Sequence, residues 1–176
     1  NTLRSAGLNE YSNRLLAIVT KVLQPGLSVR MVTEDNISDV LEQPKANSRA
    51  WYVSKDGQHE INVMGSSFVN SGLTPEVLLH ELTHAALART IDQAERDGKG
   101  DAFTLVQELE QLRTLATDYA KANGTESQFS AALSSVQELV AWGMTNKEFQ
   151  DNVLAKVQME SKTSTNKLVD GMKAFI

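Results

Sequence analysis

The chain has 176 residues, of which 41% are hydrophobic and 22% are charged, a composition typical of one globular domain and unlike that of a disordered chain. It contains no cysteine, which excludes disulfides and cysteine-ligated zinc or iron–sulfur sites. The net charge of −5 argues against a domain that binds nucleic acid through its phosphates. The sequence shows no pattern typical of a secretory signal or a membrane-spanning segment, and we expect neither.

The N-terminal part predicts a helix, a strand and a β-hairpin. Apolar residues at helical spacing indicate a helix over 9–23, ended by Pro25-Gly26. Residues 27–33 are rich in apolar and β-branched side chains and predict a strand, and one or two helical turns follow over 36–43. Residues 49–55 and 58–64 alternate in polarity around Asp56-Gly57, a pair that favours a tight hairpin turn.

The remainder of the chain predicts helices. After a loop over 66–72, Thr74-Pro75-Glu76 supplies a capping hydroxyl, a proline and an acid, and the helix extends to about residue 94. A polar loop over 95–101 precedes a second helix over 102–123. The capping-box spacing of Thr125 and Gln128 predicts a third helix over 125–143, and further helices begin at Asn146 and at Asn166.

These elements predict an α+β fold, with a small N-terminal antiparallel or mixed sheet followed by a helical C-terminal half. We expect residues 1–176 to form a single domain, excised from a longer protein because the chain begins at Asn1 without an initiator methionine.

The pentapeptide from His80 to His84, H-E-L-T-H, lies in the first of the long helices. Residues four apart lie on the same side of a helix, so both imidazoles can coordinate one metal ion. Glu81 is rotated by about 100° from His80, which suits a general base acting on a metal-activated water. Zn²⁺ is the ion that such a pair favours, with a third protein ligand and one position left for water. The structural alternative is a chance pentapeptide whose histidines form ordinary hydrogen bonds.

A third ligand must come from elsewhere in the chain. The metzincin spacing requires Gly and His where this chain has Leu87 and Thr90, so that pattern fails. The other histidine, His59, lies in the hairpin, where a surface position is the simpler interpretation. Asp92 is two turns from His84 and too distant to share its ion.

Glu138 is the carboxylate that the sequence favours as third ligand. Its neighbours from Val136 to Trp142 are mostly apolar, and a carboxylate buried among them needs a cation or hydrogen bonds. Zn²⁺ would meet that need. The alternatives are pairing with a lysine or arginine, or a side chain that reaches solvent past the edge of the helix. Glu108 and Glu110 have polar neighbours and are expected to be solvated.

HELTH followed by Glu138-x-x-Ala141 resembles the gluzincin-type zinc metallopeptidases, and the predicted sheet edge, motif helix and later ligand helix resemble the zincin fold. The segment ELVAWGMTNKEFQ, residues 138–150, is similar to the end of metallopeptidase domains embedded in large polyvalent proteins of phages and mobile elements. The resemblance covers about residues 56–150. It implies zinc ligands at His80, His84 and Glu138, with Glu81 as the catalytic base.

The sequence therefore predicts a zinc metalloendopeptidase acting on a protein or peptide. The alternatives are a zincin-fold interaction module of a larger phage protein, with structural or vestigial zinc, and a helical domain without metal. Neighbouring domains are the other expected partners, in a bacterial cytoplasm or a virion. No motif identifies an oxyanion-stabilising group. His59 and Tyr119 are weak candidates, and Tyr119, Trp51 and Trp142 also suit core packing.

Overall fold

The computed structural model describes residues 10–22, 27–44, 48–56, 58–65 and 74–157. The predicted helix stop at Pro25-Gly26, the loop over 66–72 and the helix from Asn166 lie outside these residues. The chain divides into two compact units, Asn1–Ala86 and Leu87–Ile176, and the division falls within one continuous helix.

The N-terminal elements agree with the sequence prediction. Helix α1 spans Glu10–Val22, strand β1 Leu27–Val32, strand β2 Ala50–Lys55 and strand β3 Gln58–Met64. The helical turn expected over 36–43 is one short 3₁₀ segment, Ile37–Asp39. The predicted hairpin is confirmed, because β2 and β3 pair antiparallel with Lys55 opposite Gln58.

The three strands form a mixed sheet in the order β1-β3-β2, with β1 parallel to β3. The central strand carries buried residues on both of its faces from Glu60 to Met64. Val32 and Met64, at the ends of β1 and β3, are buried with Val40, and Ile37 and Trp51 pack against them. The sheet is thus closed at this end by a small apolar cluster.

Gly65 allows the close approach of β1 and β3 beyond their last register pair. Its backbone N–H donates to the carbonyl oxygen of Val32 at 2.9 Å. A β-carbon at this position would lie 2.8 Å from the same oxygen, closer than real β-carbons come to backbone atoms. Glycine is therefore required here by space.

Helix α2 spans Pro75–Asp97, three residues longer than the predicted end at about residue 94. The polar tail continues the helix because its side chains pair along the surface: Gln93 Nε2 donates to Asp97 Oδ1 at 2.6 Å, and Arg96 donates to Gln93 Oε1 at 3.0 Å. The helix ends at Gly98, which has the positive φ of +61° that favours glycine. Polarity alone was therefore a poor guide to its end.

The second unit contains helices α3 (Asp101–Ala122), α4 (Val136–Thr145) and α5 (Lys147–Asn152), followed by a 3₁₀ segment, Leu154–Lys156. Its core joins buried residues from α3, α4, α5 and the turns between α3 and α4, with Phe129 and Phe149 in tilted ring contact at 5.4 Å. Among the described residues, no helix is long and apolar enough to cross a bilayer.

The helix predicted over 125–143 is wrong in its first half, because residues 125–135 form successive turns and α4 begins only at Val136. Phe129, Ala132 and Leu133 are buried at spacings that imitate one face of a helix, so the periodicity misled. Gln128 donates to Glu148 at 2.7 Å, while Thr125 donates its N–H and its hydroxyl to Ala120.

Candidate metal centre

His80 and His84 lie one turn apart on α2 and direct their Nε2 atoms at one another. These atoms are 3.1 Å apart, and the rings meet edge to face at an interplanar angle of 72°. A tetrahedral zinc ion with ligand bonds of about 2.0–2.1 Å separates neighbouring ligand atoms by about 3.4 Å. The spacing of the imidazole pair is thus close to the one that a shared ion requires.

The start of α2 is set by local sequence. Thr74 Oγ1 accepts a hydrogen bond from the N–H of Val77 at 3.2 Å, and Pro75 occupies the first helical position. Beyond it, Leu79, Leu82, Ala85 and Ala86 are buried, whereas His80 and His84 are half-buried. The apolar residues fix the rotation of the helix, and the two imidazoles lie at the border of its buried face.

Glu81 is a buried carboxylate beside this pair. It is 7% exposed, which is unusual for a glutamate. Thr83 is fully buried as well, and its hydroxyl donates to the carbonyl oxygen of Leu79 at 2.8 Å. The motif therefore places a carboxylate where little water competes for it.

Glu138 lies in the first turn of α4, where Ser135 Oγ accepts the N–H of Glu138 at 3.1 Å. Ser135-x-x-Glu138 is therefore a capping-box sequence, a local signal that the sequence prediction did not use. It explains why the helix starts at Val136, and it gives Glu138 a helix-capping alternative to metal binding. The side chain is half-buried, less enclosed than its apolar neighbours implied.

Packing in the second unit holds α4 in place. Leu139 is buried against residues of α3, α5 and the preceding turns, among them Phe129 and Phe149. Arg113 on α3 donates to the carbonyl oxygen of Leu133 at 3.0 Å, and it also pairs with Glu110 at 2.8 Å. This hydrogen bond attaches the turn before Ser135 to α3, and it thereby helps to hold the first turn of α4, which carries Glu138, against α3.

His80, His84 and Glu138 form a group that can hold a metal ion, since one ligand atom from each lies within 4.8 Å of the others. All three side chains are half-buried. The largest separation, up to 4.8 Å, exceeds the distance of about 3.4 Å between ligand atoms in a tetrahedral zinc shell, so zinc binding would bring the carboxylate closer by up to about 1.4 Å. Two imidazoles and a carboxylate are a donor set that zinc accepts in catalytic sites.

The carboxylates that the sequence set aside lie outside this group. Asp92 and Glu108 are exposed. Glu110 is partly buried and forms its ion pair with Arg113 rather than remaining wholly solvated.

Tyr119, a weak candidate for stabilising an oxyanion, packs against the core of the second unit, as does Trp142, and Trp51 packs in the first unit. The packing interpretation of these three aromatic residues is confirmed. His59 is half-buried and joined to Tyr52, whose hydroxyl lies 2.7 Å from His59 Nδ1, with the two rings stacked at 6.2 Å. Sequence analysis did not predict this pair, although both residues were assigned to adjacent strands.

A second polar feature that the sequence did not reveal lies on the sheet. Glu60 and Asn62 are buried on one face of β3, and Glu60 Oε2 accepts bonds from Arg30 on β1 at 3.0 Å. Among the described residues, Glu60 Oε1 and both polar atoms of the Asn62 side chain have no hydrogen-bond partner. Period-two alternation separates the two faces of a strand but does not show that the polar face becomes buried, which is why this cluster was missed.

No protein family, curated protein or solved structure matches this chain.

Proposed function

We propose that this protein is a zinc-dependent metallopeptidase of the gluzincin type, with His80, His84 and Glu138 as zinc ligands. The observation that carries the proposal is the convergence of these three side chains within 4.8 Å, two of them one turn apart with Nε2 atoms 3.1 Å apart. Such a ligand set leaves a fourth position open, as a catalytic site needs.

Glu81 follows the first ligand directly and is the general base in this proposal. When bound, Zn²⁺ would act as a Lewis acid that polarises the scissile carbonyl and lowers the pKa of water, so that the water can lose a proton near neutral pH. The Glu81 carboxylate accepts a proton from the attacking water and passes it to the leaving amine. Its burial supports this role, because a base shielded from bulk water exchanges its proton with the substrate rather than with solvent.

The fold in this proposal is zincin-like. Two features support it: a small sheet whose last strand, β3, precedes the motif helix α2, and a second helix, α4, that carries the glutamate. The sheet is mixed, and β2 is an antiparallel edge strand.

Metal analysis of five purified chains tests the ligand set: wild type, His84→Ala, Glu138→Ala, Glu81→Gln and, as a matched control on an exposed carboxylate, Glu108→Ala. We expect about one zinc per chain in the wild type, Glu81→Gln and Glu108→Ala. Each ligand variant should lose zinc affinity by about a hundredfold or more. Full zinc affinity in Glu138→Ala would remove Glu138 from the ligand set.

Cleavage of a diverse peptide library tests the activity separately. Glu81→Gln should keep its zinc and lose turnover by about a hundredfold or more, because only the proton-transferring group is removed. Wild-type turnover in this variant would exclude Glu81 as the base. A zinc-loaded wild type that cleaves no peptide would overturn the peptidase proposal and favour an interaction module with structural zinc.

A further inference from the structure

The sulfur chemistry of this chain belongs to its methionines. The sequence contains five methionines and no cysteine, so no thiol of the chain competes with them for an oxidant. Peroxides convert the thioether of methionine to a sulfoxide, and they must reach the sulfur atom to do so. The described part of the chain includes Met31, Met64 and Met144.

Met31 differs from the other two in its exposure to solvent. It is 48% exposed, whereas Met64 is 5% and Met144 is 8% exposed. Met64 is buried with Val32 and Val40 in the apolar cluster of the first unit, and Met144 is one of the buried residues of α4. A dissolved peroxide therefore has direct access to the sulfur of Met31, while packing shields the other two.

The fold itself holds this thioether at the surface. Met31 lies in β1 opposite Val63 of β3, and its carbonyl oxygen accepts a hydrogen bond from Asn36 Nδ2 at 3.1 Å. Its Cγ and Sδ atoms lie 3.7 Å from the position that a β-carbon of Gly65 would take. The side chain thus lies along the end of the β1–β3 pair, and its sulfur is accessible without any local unfolding.

We propose that Met31 is a site of reversible oxidation by hydrogen peroxide or an alkyl hydroperoxide. The sulfur attacks one oxygen of the O–O bond, which breaks. That oxygen becomes bonded to Sδ as the sulfoxide, and its proton passes to the other oxygen, which leaves as water or an alcohol. Sulfur loses two electrons and the peroxide gains them, so the peroxide is the one reactant needed. Methionine sulfoxide reductases reverse the reaction.

Oxidation at this position changes the polarity of an exposed strand. Met31 and Val29 are the exposed large hydrophobic residues among those described, and both lie in β1, an outer strand of the sheet. The sulfoxide replaces an apolar side chain with a polar one. The exposed apolar area of β1 therefore falls on oxidation, whereas the buried cores are unaffected. This inference does not depend on the metal centre.

Peptide mass spectrometry of the folded chain during treatment with hydrogen peroxide tests the site. The peptide with Met31 should gain one oxygen atom about tenfold or more faster than the peptides with Met64 and Met144, which are buried controls in the same sample. In urea the three rates should converge, because unfolding exposes all three sulfur atoms. Methionine sulfoxide reductases should then restore the original mass of the Met31 peptide.

Three results would overturn the proposed site. They are oxidation of Met31 at the rate of the buried pair in the folded chain, a rate difference that persists in urea, and a Met31 product that the reductases leave unchanged.

Substitutions at residue 31 test the change in polarity. Met31→Gln introduces a polar side chain of similar length and should elute earlier from a hydrophobic-interaction column, whereas Met31→Leu should elute with the wild type. Thermal unfolding verifies that both variants are folded. After peroxide treatment the wild type should shift towards Met31→Gln by more than treated Met31→Leu does, since any oxidation at residues 159 and 172, outside the described residues, is common to both. Equal shifts would overturn the proposed effect on β1.

Discussion

The two units differ in where they place polar and apolar side chains. Every buried polar or charged residue among those described, Glu60, Asn62, Glu81 and Thr83, lies in the first unit, as do the exposed Val29 and Met31. In the described part of the second unit, the buried residues are apolar. The second unit thus follows the usual rules of a stable core, whereas the first departs from them at β1, β3 and the motif helix. Such departures concentrate at sites of binding and chemistry.

The largest stability effect should come from the core of the second unit. Phe149→Ala removes a fully buried ring that contacts Phe129, and we expect the free energy of unfolding to fall by about 3–5 kcal/mol. Phe103→Ala, at a half-buried position on α3, should cost clearly less. Urea unfolding measures both changes. Equal losses would contradict the view that the second unit depends on one tightly packed core.

The opposite sign is expected for Asn62→Leu in the first unit. The change replaces two buried polar atoms, which have no hydrogen-bond partner in the described part of the chain, with apolar atoms of similar volume, and it should stabilise the protein by about 1–2 kcal/mol. Asn62→Asp, which buries a charge instead, should destabilise it. The midpoint of urea unfolding distinguishes the two. A loss of stability in Asn62→Leu would show that this amide has a partner in solution and would weaken the contrast between the units.

A smaller effect is expected at the cap of α4. Ser135→Ala removes the hydroxyl that accepts the N–H of Glu138, which should cost about 1 kcal/mol of unfolding free energy. Ser134→Ala, at an exposed neighbour whose hydroxyl bonds to Ala131, is the control and should be nearly neutral. Zinc titration of both variants extends the comparison, because a frayed α4 should also bind zinc more weakly than the control. Equal zinc affinities would separate the cap from the metal centre.

The sequence predicted the elements that depend on local spacing. The hairpin around Asp56, the strand from Leu27 and the helix start at Thr74 follow from alternation, β-branching and capping. The false helix over 125–135 arose because tight turns bury residues at intervals that resemble one helical face. Periodicity reports which residues face inward, and the backbone that places them there can differ.

For the candidate metal site, too, the sequence predicted the local spacing better than the distant contact. That His80 and His84 share one face was certain once the segment was helical, since 3.6 residues per turn places positions four apart side by side. The prediction that Glu138 lies near the two histidines rested on the cost of burying a carboxylate. In the structure Glu138 is only half-buried, and its position in the first turn also suits it to capping α4. The burial of the Asn62 amide, with no hydrogen-bond partner in the described segments, left no signal in the sequence.

By itself the sequence determined the helix that aligns two imidazoles with a carboxylate between them, the hairpin before it and the absence of thiol ligands. The tertiary structure decided the parallel pairing of β1 with β3, the burial of Glu60 and Asn62, and the grouping of Glu138 with His80 and His84. The reason is physical: backbone geometry fixes the spacing of neighbours in a helix or strand, whereas contacts between distant residues depend on how the whole chain packs.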